Sequence, residues 1–137
     1  MIIAGNWPLT RSTRLRTALR RLARIGFLAS LLAIAFLAFA PFPEAPGLDW
    51  DKANHLLAFV TLAALAELGW PGRGAMPWRL GLVLGYGVLI ELVQAQLPYR
   101  QASVLDLVAD GLGVALYLGF KRAAWMLGAW GSVLASR

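Results

Sequence analysis

Between Ile25 and Ala40 the chain carries no charge, and Ser30 is the one polar side chain in that run. Pro41-Phe42-Pro43 ends it, because proline lacks the N–H that continues a helix and its ring clashes with the preceding turn. At about 1.5 Å per residue the run is slightly short for a bilayer core, and Leu22 and Ala23 extend it. The pattern returns three times. A second span runs from Asp51 to Trp70, with an apolar body at Leu56–Ala66, and stops at Pro71-Gly72. A third runs from about Arg79 to Leu97 and stops at Pro98. A fourth runs from Ser103 to Phe120, ahead of Lys121-Arg122. The expected fold is all-α: an integral membrane bundle of four transmembrane helices.

Composition agrees. The 137 residues are 59% hydrophobic and 15% charged, against about half and about a quarter in a soluble domain. Disorder is excluded, since it needs low hydrophobicity and dense charge. An ordinary soluble enzyme has more polar surface than this. The chain has no cysteine, which removes disulfide scaffolds, thiolate metal sites and cysteine nucleophiles together.

The formal charge of +6 takes its meaning from position. Residues 1–24 hold Arg11, Arg14, Arg16, Arg20, Arg21 and Arg24 and no acid. Leu15, Leu19 and Leu22 recur at helical spacing, so this segment reads as a basic amphipathic helix on anionic headgroups. A nucleic-acid arm is the rival, and the membrane span that follows argues against it. Ala38-Phe39-Ala40 resembles a signal-peptidase site, but the basic region is long and Pro41 occupies the cleavage position, so retention is expected. The chain therefore divides into a basic cytoplasmic or interfacial segment (1–24), the four-helix membrane region (25–122) and an apolar C-terminal extension (123–137). That extension either continues the fourth helix or lies in the interface.

Four spans place 1–24, 71–79 and 121–137 on one side, with eleven of the thirteen Lys and Arg residues. The other side has Lys52 and Arg100. The positive-inside rule puts both termini in the cytoplasm. Trp50, Trp70 and Trp78 then fall at interfaces.

Ionisable residues within spans cost about 2.5–3.5 kcal/mol each at the bilayer centre, so they mark function or tight pairing. His55 lies in the second span, Glu91 in the third, and Asp106 and Asp110 in the fourth. Glu91 and Asp110 each lie roughly 10 Å inside, at one depth. Asp106, Asp110, Gly113 and Tyr117 form one stripe of the fourth helix. Glu91 and Gln94 are neighbours on the third, and Asp51, Lys52 and His55 on the second. Turning these faces inward gives a small polar pocket that opens outward. Two buried carboxylates at one depth repel, so they face a cation or share a proton. Lys52, His55 and Arg100 are at hand, with Arg100 expected to fold over the acids. A guanidinium there holds either a carboxylate or an anionic ligand. The candidate ligand-binding set is Asp51, Lys52, His55, Glu91, Gln94, Arg100, Asp106 and Asp110.

Plainer roles compete. Ser103-x-x-Asp106 is a variant of the capping box, Asp51 is a possible N-cap, and His55 can simply pack. Glu91 and Arg100 can form a structural lock, and Glu67 is expected to pair with Arg73 or Arg79. Gly81-x-x-x-Gly85 suits close helix packing. One histidine and no cysteine point to no metal site, with a hard cation on carboxylates as a minor option. No cofactor is indicated.

The ordered set Asp51-Lys52-x-x-His55, Glu91-x-x-Gln94, Pro98-x-Arg100, Ser103 and Asp106-x-x-x-Asp110-x-x-Gly113 resembles the VanZ-like family of small bacterial membrane proteins. The likeness covers about residues 49–120. The family usually has Asn where this chain has Asp110, which alters the charge of any pocket. The resemblance implies a four-helix membrane protein of the cell envelope. The family's namesake is associated with reduced susceptibility to the glycopeptide teicoplanin. The resulting expectation is an envelope protein whose pocket binds a polar or anionic headgroup, with membrane lipids as partners and no nucleic acid. The alternatives are a lipid-modifying enzyme using Glu91 and His55 as acid and base, and a purely structural membrane subunit.

Overall fold

A computed structural model of the chain describes residues 11–41 and 51–135. Its described elements are all helical: α1 (Arg11–Phe39), α2 (Asp51–Gly69), a 3-10 turn (Arg73–Ala75), α3 (Met76–Gln94) and α4 (Val104–Ala135). The prolines set the boundaries. Pro77 sits in the first turn of α3, where its missing N–H is no loss. Pro41, Pro71 and Pro98 each follow a helix end.

Two segment boundaries move. The basic segment is, from Arg11 onward, the first turns of α1 rather than a separate element. No glycine or proline lies between Arg11 and Ile25 to break it. From Thr13 to Leu22 every side chain is exposed, and Ala23 is the first to be buried. At the other end α4 continues unbroken through Lys121-Arg122 to Ala135, so the C-terminal extension prolongs the fourth helix.

Helix α2 is the centre of the bundle and packs against α1, α3 and α4; α1 and α4 lie on different sides of it without meeting. The core is Phe27 from α1, Phe59, Leu62, Ala63 and Ala66 from α2, Val83 from α3 and Val114 from α4. Glycine fixes the approach of α3 and α4. A Cβ on Gly113 would lie 2.5 Å from the Leu56 carbonyl oxygen and 3.2 Å from the Val60 nitrogen. On Gly87 it would collide with the Asp110 carboxylate and lie 2.9 Å from Phe59 Cζ. Gly81 and Gly85 meet nothing within 4 Å, so close packing uses Gly87 and Gly113 instead of the spaced pair.

Two helices, α1 over Thr13–Phe39 and α3 over Met76–Gln94, are long and apolar enough to cross a membrane. The other two carry Lys52, His55, Glu67, Asp106, Asp110 and Lys121 along their lengths. Polar side chains are buried beside the apolar core while large apolar ones lie outside. Arg79, Glu91, Gln94, Asp106 and Asp110 are buried, whereas Leu32, Phe36, Leu89, Leu92, Val108 and Leu112 are exposed.

Candidate functional site

The polar residues gather at one end of the bundle, where α1 and α3 finish and α2 and α4 begin. His55 is the hub. Its Nδ1 lies 2.9 Å from Asp110 Oδ1, and its Nε2 lies 3.8 Å from Asp106 Oδ2. The Lys52 ammonium lies 3.4 Å from Asp106 Oδ1. That oxygen accepts no hydrogen bond, so the contact is an ion pair at loose angles. Asp106 and Asp110 are 4% and 2% exposed, and neither faces the exterior.

Glu91 has a different partner from the expected one. Its Oε2 accepts the Ser103 backbone N–H at 2.7 Å. That donor belongs to the entry of α4, and a carboxylate there meets the positive end of the helix. A capping box would have filled this position with Asp106; Glu91 fills it and leaves Asp106 to Lys52 and His55. Glu91 stands level with His55 and Asp106, and each of the three places a ligating atom within 4.8 Å of the others. Asp110 instead packs against Gly87, one turn before Glu91. The two acids are therefore offset by about a turn, not at one depth, because the chain turns through Ala95–Arg100 before α4 starts.

Arg100 does not fold over the acids. Its Nη2 donates to the Leu37 and Ala40 carbonyls at 2.8 and 2.7 Å, and no ion pair joins it to a carboxylate among the described residues. Gln94 donates to the Ala38 carbonyl at 3.2 Å and Tyr99 to the Phe39 carbonyl at 3.0 Å. The cause is the end of α1. A helix leaves its last four carbonyls without partners. The donors that would serve Leu37 and Phe39 in a continuing helix sit at 41 and 43, and both residues are proline. Gln94, Tyr99 and Arg100 replace them, and the guanidinium also suits the negative end of the helix. The lock between Glu91 and Arg100 is thus absent, and α1 joins the site through its backbone. Sequence reasoning left out α1 and Tyr99; the two prolines were the available signal.

Asp51 opens α2, but its side chain lies outside the described residues, as do Asp49, Trp50 and Glu44. At the opposite end Glu67 pairs with Lys121 and accepts from Tyr117, in place of Arg79. Arg79 donates to the Trp70 and Gly72 carbonyls at 2.8 and 3.1 Å. Arg24 donates to the Gly69 carbonyl at 2.8 Å and lies over the Trp70 ring. Arginine therefore closes a proline-terminated helix at both ends of the bundle.

A pocket of about 550 Å³ opens beside this cluster, between α1, α2 and α3. Its lining includes the apolar Ala33, Ile34, Leu57 and Ile90 and the polar His55, Gln94, Arg100, Asp106 and Asp110. No family model, curated protein or solved structure matches the chain.

Proposed function

We propose that the chain is a multi-pass envelope protein of the VanZ-like type, whose pocket receives the polar or anionic headgroup of an amphiphile. In this reading all four helices cross the bilayer and both termini are cytoplasmic. The carrying observation is the pocket lining, which combines aliphatic side chains with ionisable ones. An acyl chain matches the first and a headgroup the second. This burial supports the membrane setting: exposed leucine and valine suit lipid, and ionisable groups turn inward where lipid would penalise them. The Arg100 Nε is buried without a hydrogen-bond partner and Lys52 is partly exposed, so each has capacity for a ligand anion.

The test is lipid retention. The protein is purified in mild detergent, and bound lipid is measured by native mass spectrometry with phosphatidylglycerol as probe. Retention should fall when the apolar lining is filled by Ala58→Phe. In cells, Glu91→Gln should alter an envelope phenotype, glycopeptide susceptibility included. Unchanged lipid retention in the filled variant, with every such phenotype also unchanged, rejects the reading.

A further inference from the structure

We propose that the pocket takes its amphiphile sideways from the bilayer, with an acyl chain seated in the seam between α1 and α2. Resting on the amphiphile reading above, this makes the ligand class a membrane-resident lipid rather than a soluble anion. The first observation is how the other seams are fastened at the level of the pocket. α1 is tied to the turn after α3, where Gln94, Tyr99 and Arg100 donate to the last carbonyls of α1. α3 is tied to α4 by Glu91 and the Ser103 N–H. α4 is tied to α2 by Asp110 with His55 and by Asp106 with Lys52. α1 and α2 make a close approach at the opposite end of the bundle. There Arg24 donates to the Gly69 carbonyl, and a Cβ on Gly26 would meet the Leu65 side chain at 3.5 Å.

The second observation is side-chain size. Gly26, Ser30, Ala33 and Leu37 recur at i, i+4, i+7 and i+11 on one face of α1. Asn54, Ala58, Thr61 and Leu65 do the same on α2. With Gly26 opposite Leu65, antiparallel register puts Ser30 level with Thr61 and Ala33 level with Ala58. Small side chains that face each other leave space that larger ones would fill. All four line the cavity of about 550 Å³. The Thr61 hydroxyl donates to the Leu57 carbonyl of its own helix at 2.9 Å, so it adds no open polar group to the seam.

The third observation is the rim. Leu37 and Leu57 both line the pocket, yet they are 41% and 57% exposed. Ala33 and Thr61 are exposed as well, and so are Leu32 and Phe36 beside them on α1. In the membrane setting such a mouth opens onto hydrocarbon. A soluble anion would have to cross that apolar rim, whereas an acyl chain is already there. Arg100 and Asp106 line the same pocket near helix ends. A lipid whose chain lies along α1 and α2 has its headgroup at that level.

The experiment exploits the absence of cysteine. A benzophenone maleimide is attached to the full chain at Leu57→Cys, on the rim, or at Leu89→Cys, an exposed position of α3. Each protein is purified in mild detergent with phosphatidylglycerol and irradiated. Leu57→Cys should cross-link the retained lipid and Leu89→Cys should not. Glycerophosphate, which has the anion without a chain, should leave retention unchanged, while lysophosphatidylglycerol should displace the lipid. Ala33→Trp, which fills the mouth, should lower retention about tenfold or more. Equal cross-linking at both positions, displacement by glycerophosphate, or full retention in Ala33→Trp overturns the proposal. If Ala33→Trp loses helical circular dichroism, the cross-linking decides, because both cysteine positions are exposed. Lipid retained with a failed cross-linking or displacement arm removes the sideways route alone. A wild-type protein that retains no lipid removes the headgroup reading, and the sideways route with it.

Discussion

His55 and Asp110 join α2 to α4 through a 2.9 Å contact inside the bundle, between residues 55 positions apart. The contact sets how the imidazole faces Asp106. Asp110→Ala leaves the His55 Nδ1–H without its acceptor, at a cost of about 1–3 kcal/mol. Asp110→Asn retains an acceptor oxygen and should lose much less. Unfolding in detergent, followed by circular dichroism, separates the two variants. Equal loss in both would mean the carboxylate charge, not the hydrogen bond, holds the helices.

Gly113 sets the distance between α4 and α2. A methyl there meets the Leu56 carbonyl oxygen and the Val60 nitrogen, which are backbone atoms of a packed helix and cannot swing aside. Gly113→Ala should destabilise by about 1–3 kcal/mol, as overpacked cores do. Gly81→Ala has open space and should be neutral or slightly stabilising. The same unfolding assay reads both.

The end of α1 depends on donors from the turn after α3. Tyr99→Phe removes one hydrogen bond and should cost about 0.5–1.5 kcal/mol. Arg100→Ala removes the charged donor of two carbonyls and should cost more, about 1.5–3 kcal/mol. Arg100→Lys should recover only part, because a single ammonium lacks the guanidinium's fixed planar fork. A ranking in which Tyr99→Phe exceeds Arg100→Ala would contradict this account of the helix end.

The absence of cysteine makes topology directly measurable. Gln101 and Lys121 are both exposed and lie at opposite ends of the bundle. With cytoplasmic termini, Gln101→Cys should react with a membrane-impermeant maleimide on intact cells. Lys121→Cys should react only after permeabilisation. The reverse pattern would place the pocket on the cytoplasmic side.

Much of the site was legible because ionisable groups are few on these apolar helices and recur at helical spacing. Asp106 and Asp110 share a polar stripe of α4 and His55 lies with Lys52 on α2, each at a helical period visible in the sequence, and the structure brings the three together. Their detailed partners were not legible. Glu91 was matched to Arg100 because both lie near the same helix end, yet Ser103 offers an unpaired N–H and α1 offers unpaired carbonyls. Each charged group went to the stronger local demand. Glu67 was assigned to arginine for the same reason of proximity, and Lys121 reaches it from α4.

The sequence by itself determined that the chain is helical, where proline interrupts it and that His55, Glu91, Asp106 and Asp110 avoid the exterior. Proline, apolar run length and helical period are local properties and do not depend on neighbours. Only the tertiary structure decided which acid meets which base, because those partners lie on separate helices. Their relative height and rotation are set by close contacts at Gly87 and Gly113, and by a helix end that must borrow its donors. A shift of one turn exchanges every partner, and no residue spacing along a single helix records that shift.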